Sequence, residues 1–307
     1  MIKIAFLSWH FATPQIFLDS IIKMTPGRSG IWKNIQATVN LKEADYYFIM
    51  DGYNEILPDA ENKAIYFCEH PETPASPGHK TFSGKPALVK LFLHKYLNPG
   101  EWWISYDYDY LSALVLPPTK TKKLFVAHTY QTHHDMYHAR AKFTAEFIRQ
   151  YGGFEFDLYG RPREKFEADE LLMRRYKGVL GIEKYDALKG EHIIGKDAIA
   201  DYEYSIEYDV GPCENYFSER FYDALLLWTT PIYFGCQNIE KYIPHKNKAY
   251  YMFNQHELTD TNHVYDCIQQ PKYWAEIAEV RDLLLNKYQM WAYCHDVVNN
   301  IEKYQGS

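Results

Sequence analysis

Short runs of apolar and aromatic residues, each closed by turn formers, alternate along this chain with stretches of helical period. Ile2–Leu7, Tyr46–Met50 and Ala64–Cys68 read as buried strands, ended by Ser8-Trp9-His10, Asp51-Gly52 and Glu69-His70-Pro71. Residues 14–24 have helical spacing and are closed by Pro26-Gly27. Residues 73–86 are rich in Pro, Gly and Ser and read as a loop, and 87–96 predicts a second helix. Trp102–Tyr106 and Leu114–Leu116 are strand-like pieces. A second series begins after Pro117-Pro118 and the basic run at 120–123: a strand at Leu124–Ala127, a helix over His133–Tyr151 and a strand at Phe154–Tyr159 closed by Gly160. Residues 163–200 are charged and carry four glycines, and they read as a loop-rich insertion. A strand at Tyr202–Tyr208, a helix from Ser218 and a short buried strand stopped by Gly235 follow. Ala249–Phe253 completes the strands, and Tyr273–Tyr304 is mostly helical.

Strands that are apolar on both faces and alternate with helices predict parallel sheets covered on each side. In such sheets ligands sit beyond the carboxyl ends of the strands, so His10, Asp51 and Glu69 should face one rim. With 307 residues, 47% of them hydrophobic and 24% charged, the chain has enough material for two medium domains. A net charge of −7 sets nonspecific nucleic-acid binding aside, because that needs a broad basic surface. The five cysteines are scattered, with no CxxC pair, which argues against a zinc knuckle and for reduced thiols in the cytoplasm. No apolar run approaches the length of a membrane span.

The stretch from Asp201 to Asn238 holds the most chemistry. Gly211, Pro212 and Asn215 break the strand, Ser218 is a good N-cap, and Glu219 stands in the first turn where the helix dipole favours an anion. A helix that opens this way after a strand can hold a diphosphate on its backbone N–H groups. Arg220 would add a charged fork, and Glu219 could accept hydrogen bonds from a ribose. Spacing alone leaves an ordinary capped amphipathic helix equally open.

The residues Tyr202-Glu203-Tyr204, Tyr208-Asp209, Asn215 to Phe221, Ala224-Leu225, Pro231-Ile232 and Gly235 resemble the donor-binding motif of the α-1,3-fucosyltransferases (glycosyltransferase family 10). That motif runs Y-K-F-x-L-x-F-E-N-S, D-Y-x-T-E-K-L, A-L, V-P-V and G. Three further places are similar to the family. The segment YFCEHPETPASPG puts Glu69 where the family has a glutamate facing the sugar, with Glu72 as a fallback. VAHTYQTHHDMYHAR puts Arg140 at the family's arginine, and FEFDLYGRP matches x-V-D-x-Y-G-R. The departures are Ala127-His128 for Ser-Asn, Glu203 and Arg220 for two lysines, and Asp209-Val210 for Glu-Asn.

The resemblance implies an α/β fold of two Rossmann-like domains facing each other across a cleft (GT-B). The acceptor-side domain would be 1–118, the nucleotide-sugar domain 119–272, and 273–307 a helical tail able to cross back. It implies an inverting glycosyltransferase that needs no metal and moves a sugar, L-fucose from GDP-fucose first, onto a glycan hydroxyl. Glu69 would be the base, Glu219 would bind ribose, Arg220 and Arg140 the diphosphate, Tyr216 the nucleotide or sugar, and Ser218 would cap the helix that holds them. Animal members of the family carry a membrane anchor, and no comparable run is present here, so a soluble enzyme is expected. The altered Lys and Asn positions keep two alternatives open: another nucleotide sugar, or a non-catalytic glycan- or nucleotide-binding protein. A metal-dependent hydrolase is a weaker one. Asp107-Tyr108-Asp109 is a DxD outside the donor half, and the cluster His128, His133, His134 and His138 lacks an HExxH glutamate, so both are read as surface.

Overall fold

The computed structural model describes residues 1–67, 85–91, 96–127, 135–151, 156–160, 170–180, 193–194, 196–253 and 260–305. Two sheets organise them. The first contains β1 (Ile2–Ser8), β2 (Ile31–Trp32), β3 (Ile35–Ala37), β4 (Tyr46–Met50), β5 (Ala64–Phe67) and β6 (Val89–Lys90), in the order β2-β3-β1-β4-β5-β6. Only the β2–β3 pairing is antiparallel. The second contains β7 (Lys122–Ala127), β8 (Phe156–Tyr159), β9 (Tyr176–Leu180), β10 (Ile193–Ile194), β11 (Tyr202–Cys213), β12 (Thr230–Cys236) and β13 (Tyr251–Met252). Its order is β10-β9-β8-β7-β11-β12-β13, and all pairings are parallel.

The helices are α1 (Pro14–Ile21), α2 (Ala60–Lys63), α3 (Tyr108–Ala113), α4 (Asp135–Gln150), α5 (Glu170–Arg175), α6 (Glu219–Leu226), α7 (Thr261–Ile268), α8 (Trp274–Leu283), α9 (Met290–Asn299) and α10 (Ile301–Gln305). Side-chain caps explain several starts. Thr13 accepts from the Ile16 N–H at 3.3 Å ahead of Pro14, and Asp107 accepts from Tyr110 at 3.0 Å. No helix among the described residues is long and apolar enough to cross a membrane.

β11 lies inside the second sheet, between β7 and β12, and sets its two faces. Side chains alternate along a strand, so Tyr204, Ile206 and Tyr208 join the core beneath α4, with Phe143 and Phe147. Ser205, Glu207 and Asp209 point the other way, toward α6, and all three are buried. A larger core runs from the first sheet through α6 to the C-terminal helices. There Trp291 of α9 packs on Phe6 with ring centroids 5.0 Å apart, and its indole N–H donates to the Ile21 carbonyl at 3.0 Å. Tyr304 of α10 packs on Tyr96 at 4.8 Å.

Several expectations are corrected. Residues 87–96 do not begin a helix: Val89–Lys90 is a strand, bracketed by Leu88 N–H to Ala64 O at 2.9 Å and Leu91 N–H to Tyr66 O at 2.7 Å. The open edge of β5 supplies hydrogen-bond partners that a local helical pattern does not reveal. Trp102–Tyr106 and Leu114–Leu116 form no strands. The Trp102 indole instead closes a turn on the Tyr106 carbonyl at 2.9 Å, and Leu114 caps the end of α3. The stretch 163–200 supplies α5, β9, β10 and a 3₁₀ turn at Lys196–Asp201, so it extends the second sheet. β12 runs through Gly235 to Cys236, and α7, capped by Asp260, was not anticipated.

Candidate functional site

The start of α6 is held from three sides. The Ser218 hydroxyl accepts from the Arg220 N–H at 3.3 Å and donates to the Asp209 carboxylate in a short bond. The Tyr233 hydroxyl donates to the other oxygen of Asp209, and the Arg140 guanidinium donates to the Asp209 carbonyl. A Cβ at Gly235 would overlap both the Tyr233 hydroxyl and the Asp209 carboxylate, so only glycine fits there. Before the cap, Asn215 turns the chain with φ 57° and is fixed by a reciprocal pair with Asn238, at 2.8 and 2.9 Å.

Behind this cap lies a charged cluster, most of which the sequence did not reveal. The Lys196 ammonium is 3.1 Å from Glu219 Oε1 and 2.9 Å from Asp223 Oδ2, and it sits 4.6 Å from the Trp103 ring centroid. Burial pushes the Glu219 carboxyl up, but Lys196 and Arg220 outweigh it and hold it below its usual range. Asp223 is pushed up by burial despite Lys196. Arg220 reaches 3.9 Å from Glu219 Oε1 and donates to the Ala127 carbonyl at 3.4 Å. Glu207 is 2% exposed, and burial, only partly opposed by Arg220 and Lys196, pushes its carboxyl up to about 8. Asp209 is likewise raised by burial, against the bonds from Ser218 and Tyr233, to about 6.

These shifts have a consequence for stability. Glu207 keeps its proton in the folded chain to about pH 8, whereas the unfolded chain releases it near 4.5. The folded state therefore binds more protons across that window, and stability falls as pH rises through it. Glu207→Gln removes the penalty. At pH 8 the variant should be more stable than the parent by about 1–2 kcal/mol, with the gain shrinking toward pH 5. Urea titrations at the two pH values check this, and an equal gain at both would refute it.

A pocket opens beside the α6 start, lined by Met50 and Phe67 from the first sheet and by Glu101, Tyr216, Ser218 and Glu219. Met50 and Phe67 are the last residues of β4 and β5, so the carboxyl ends of the first sheet face the helix start of the second. Gly100 belongs to the same wall. A Cβ there would run into the Tyr222 ring, whose hydroxyl donates to the Tyr288 carbonyl at 3.0 Å. Burial pushes the Glu101 carboxyl up. At the first sheet's rim, His10 Nε2 is 3.1 Å from Asp51 Oδ2 and 2.9 Å from the Trp9 indole nitrogen.

Of the residues picked from the sequence, Tyr216, Ser218 and Glu219 line the pocket, with Arg220 beside them. Arg140 is 1% exposed and does not line it; its guanidinium lies 5.5 Å from the Tyr208 ring and braces the loop from behind through Asp209. Glu69 and Glu72 lie outside the described residues, as do His128, His133 and His134. The DxD aspartates have structural duties: Asp107 caps α3 and pairs with Arg28 at 3.1 Å, and Asp109 accepts from the Gly27 N–H at 2.7 Å. Lys120, the first residue of the basic run at 120–123, is largely buried and donates to the Ala200 and Leu227 carbonyls, both at 2.7 Å, and to Thr229 at 3.1 Å. Burial lowers its pKa to about 7.

No protein-family model matches the chain, and no curated protein does. Solved structures do match. The Anabaena protein Alr3699/HepE, solved in complex with UDP, is 9% identical with a TM-score of 0.55, over 99% of this chain and 100% of that one. The lipopolysaccharide outer core galactosyltransferase WaaB, in its apo form, is 10% identical with a TM-score of 0.51, over 98% and 99%. An α1,3-fucosyltransferase solved with GDP is 12% identical, with a TM-score of 0.47 over 92% and 91%. The chain spans only about half the length of S. aureus TarM, 52% and 51% in two structures, at 12% identity and TM-scores of 0.44 and 0.43. The two facing sheets and the helical C-terminal region make the fold that of the GT-B glycosyltransferases.

Proposed function

We propose that this chain is a metal-independent, inverting glycosyltransferase that moves a sugar, L-fucose from GDP-fucose in the first instance, onto a hydroxyl of a glycan acceptor. One observation carries the reading: Ser218, Glu219 and Arg220 stand at a helix start beside a pocket whose far wall is the carboxyl end of β4 and β5. That is where an open parallel sheet takes a ligand and where a helix takes a diphosphate. The GT-B fold supports it.

In this reading the α6 backbone N–H groups and Arg220 hold the diphosphate, with Arg140 adding positive potential from behind Asp209. Glu219 accepts from the ribose hydroxyls and Tyr216 packs on the nucleotide or sugar. Glu69, in the segment that follows β5, takes the acceptor hydroxyl proton. The new bond forms at the anomeric carbon as the bond to the diphosphate breaks on the opposite face. Residues 1–118 would serve the acceptor and 119–272 the donor, with 273–307 as the tail.

A second reading, a transferase of the same fold using another nucleotide sugar, is favoured by one feature. Glu203, in place of the family's lysine, is tied to Lys123 at 2.6 Å on the neighbouring strand, so its charge is spent there.

A thermal-shift panel of GDP, UDP, GDP-fucose, GDP-mannose and UDP-sugars, with and without chelator, tests both. Selective, chelator-insensitive stabilisation by GDP and GDP-fucose is expected. A preference for UDP-sugars would select the second reading, and no shift with any nucleotide would overturn both. Glu69→Gln should abolish turnover and spare GDP binding; lost GDP affinity in that variant would remove Glu69 from the base role.

A further inference from the structure

We propose that Lys196 is a positioning residue for donor recognition: it fixes the Glu219 carboxylate for the ribose and keeps Arg220 from closing on Glu219. This rests on the donor-site reading above.

The lysine is itself fixed from outside the pocket. Asp223 Oδ1 accepts the Trp103 and Ile104 backbone N–H groups at 2.8 and 3.2 Å, which anchors that carboxylate. Its Oδ2 then holds the ammonium at 2.9 Å, beneath the Trp103 ring at 4.6 Å. The next residue, Asp197, accepts from Ser105 N–H at 2.7 Å and is also bonded by the Ser105 hydroxyl. Two consecutive residues of the 3₁₀ turn are thus locked to the segment 103–105. Glu219, 3.1 Å from the ammonium, is the one partner of Lys196 that lines the pocket.

The arrangement divides the work within Glu219. Lys196 and Arg220 both approach Oε1, at 3.1 and 3.9 Å, and among the described residues no side chain bonds Oε2. An ionised carboxylate at the pocket wall with one oxygen braced by two cations suits a vicinal diol, which needs an acceptor held at a fixed angle. Charge balance gives the second effect. Without Lys196, Arg220 is the remaining cation at Glu219 among the described residues, and closing from 3.9 Å to a full ion pair would draw it away from the diphosphate. A lysine that never touches the ligand would then govern both ligand contacts.

Calorimetric titration of GDP and 2′,3′-dideoxy-GDP into wild type, Lys196→Met and Lys196→Arg is the test. Wild type should prefer GDP by about 10-fold or more, as expected of a hydrogen bond to a charged group. Lys196→Met should bind GDP more weakly and lose most of that preference, and Lys196→Arg should keep it. Wild-type-like discrimination in Lys196→Met overturns the inference alone. Wild type that binds neither nucleotide overturns the donor-site reading, and the inference with it. Should Lys196→Met not fold, Lys196→Gln, similar in length and uncharged, takes its place. In a Glu219→Gln background the Lys196 substitution should leave the GDP preference unchanged, and an additive loss would also refute the coupling.

Discussion

Arg281→Met should lower the unfolding free energy by about 3–5 kcal/mol, the cost of taking a charged donor away from buried carbonyls. The guanidinium is buried and donates to the carbonyls of Leu226, Leu114 and Leu111, each at 3.0 Å, while lying 4.5 Å from the Trp228 ring centroid. Those carbonyls are at the ends of α6 and α3, where a helix has no partners of its own to offer. Methionine fills most of the volume and takes this donor from Leu226 and Leu111, at about 1–3 kcal/mol each before relaxation, while Leu114 keeps the Trp228 indole at 3.1 Å. Burial lowers the arginine pKa only to about 10, so the guanidinium stays charged at neutral pH. Equilibrium urea unfolding reads the effect, and a loss below about 0.5 kcal/mol, the size of an ordinary surface substitution, would show that Arg281 is not the clasp between these helices.

Arg220→Ala should weaken nucleoside-diphosphate binding by about 30- to 150-fold, the equivalent of one or two charge-assisted hydrogen bonds. The loss follows from the donor-site reading and should be near zero for a nucleoside that carries no phosphate. Among the guanidinium's contacts with protein are the long 3.4 Å bond to the Ala127 carbonyl and the 3.9 Å approach to Glu219 Oε1. Arg220→Lys should recover only part of the affinity, since an ammonium keeps the charge and loses the planar fork. Calorimetry with GDP and guanosine separates the cases; equal losses for both ligands would place Arg220 elsewhere than on the phosphates.

Local signals carried much of the fold. Strands such as Ile2–Ser8 and Tyr46–Met50 are apolar throughout and bounded by turn formers, so their limits are written in their own residues. The cap at Ser218 was readable for the same reason, since a cap is a matter of four consecutive residues. What escaped was decided at a distance. Val89–Lys90 is a strand because β5 offers an edge, and β9 and β10 exist because β8 does. Lys196 lies in a charged, glycine-containing stretch that looks like a solvated loop, and its partners are 23 and 27 residues away. Asp223 sits mid-helix, where an acidic side chain ordinarily faces water, and Glu207 breaks a run that otherwise reads as strand. A buried charge is legible only once its counter-charge is in view.

The packing of α9 on the first sheet governs the order in which this protein can be made. Trp291 completes the core around Phe6, and its indole bonds the Ile21 carbonyl 270 residues earlier in the chain. At a synthesis rate of about 5–20 residues per second, the first sheet waits tens of seconds for that side chain. During that interval the apolar surface that α9 will cover faces the solvent, and a neighbouring nascent copy could supply its own α9 in trans. The fold therefore ties strands within residues 2–50 to helices within 290–305, so the core on that face of the first sheet closes only after residue 291 has been made.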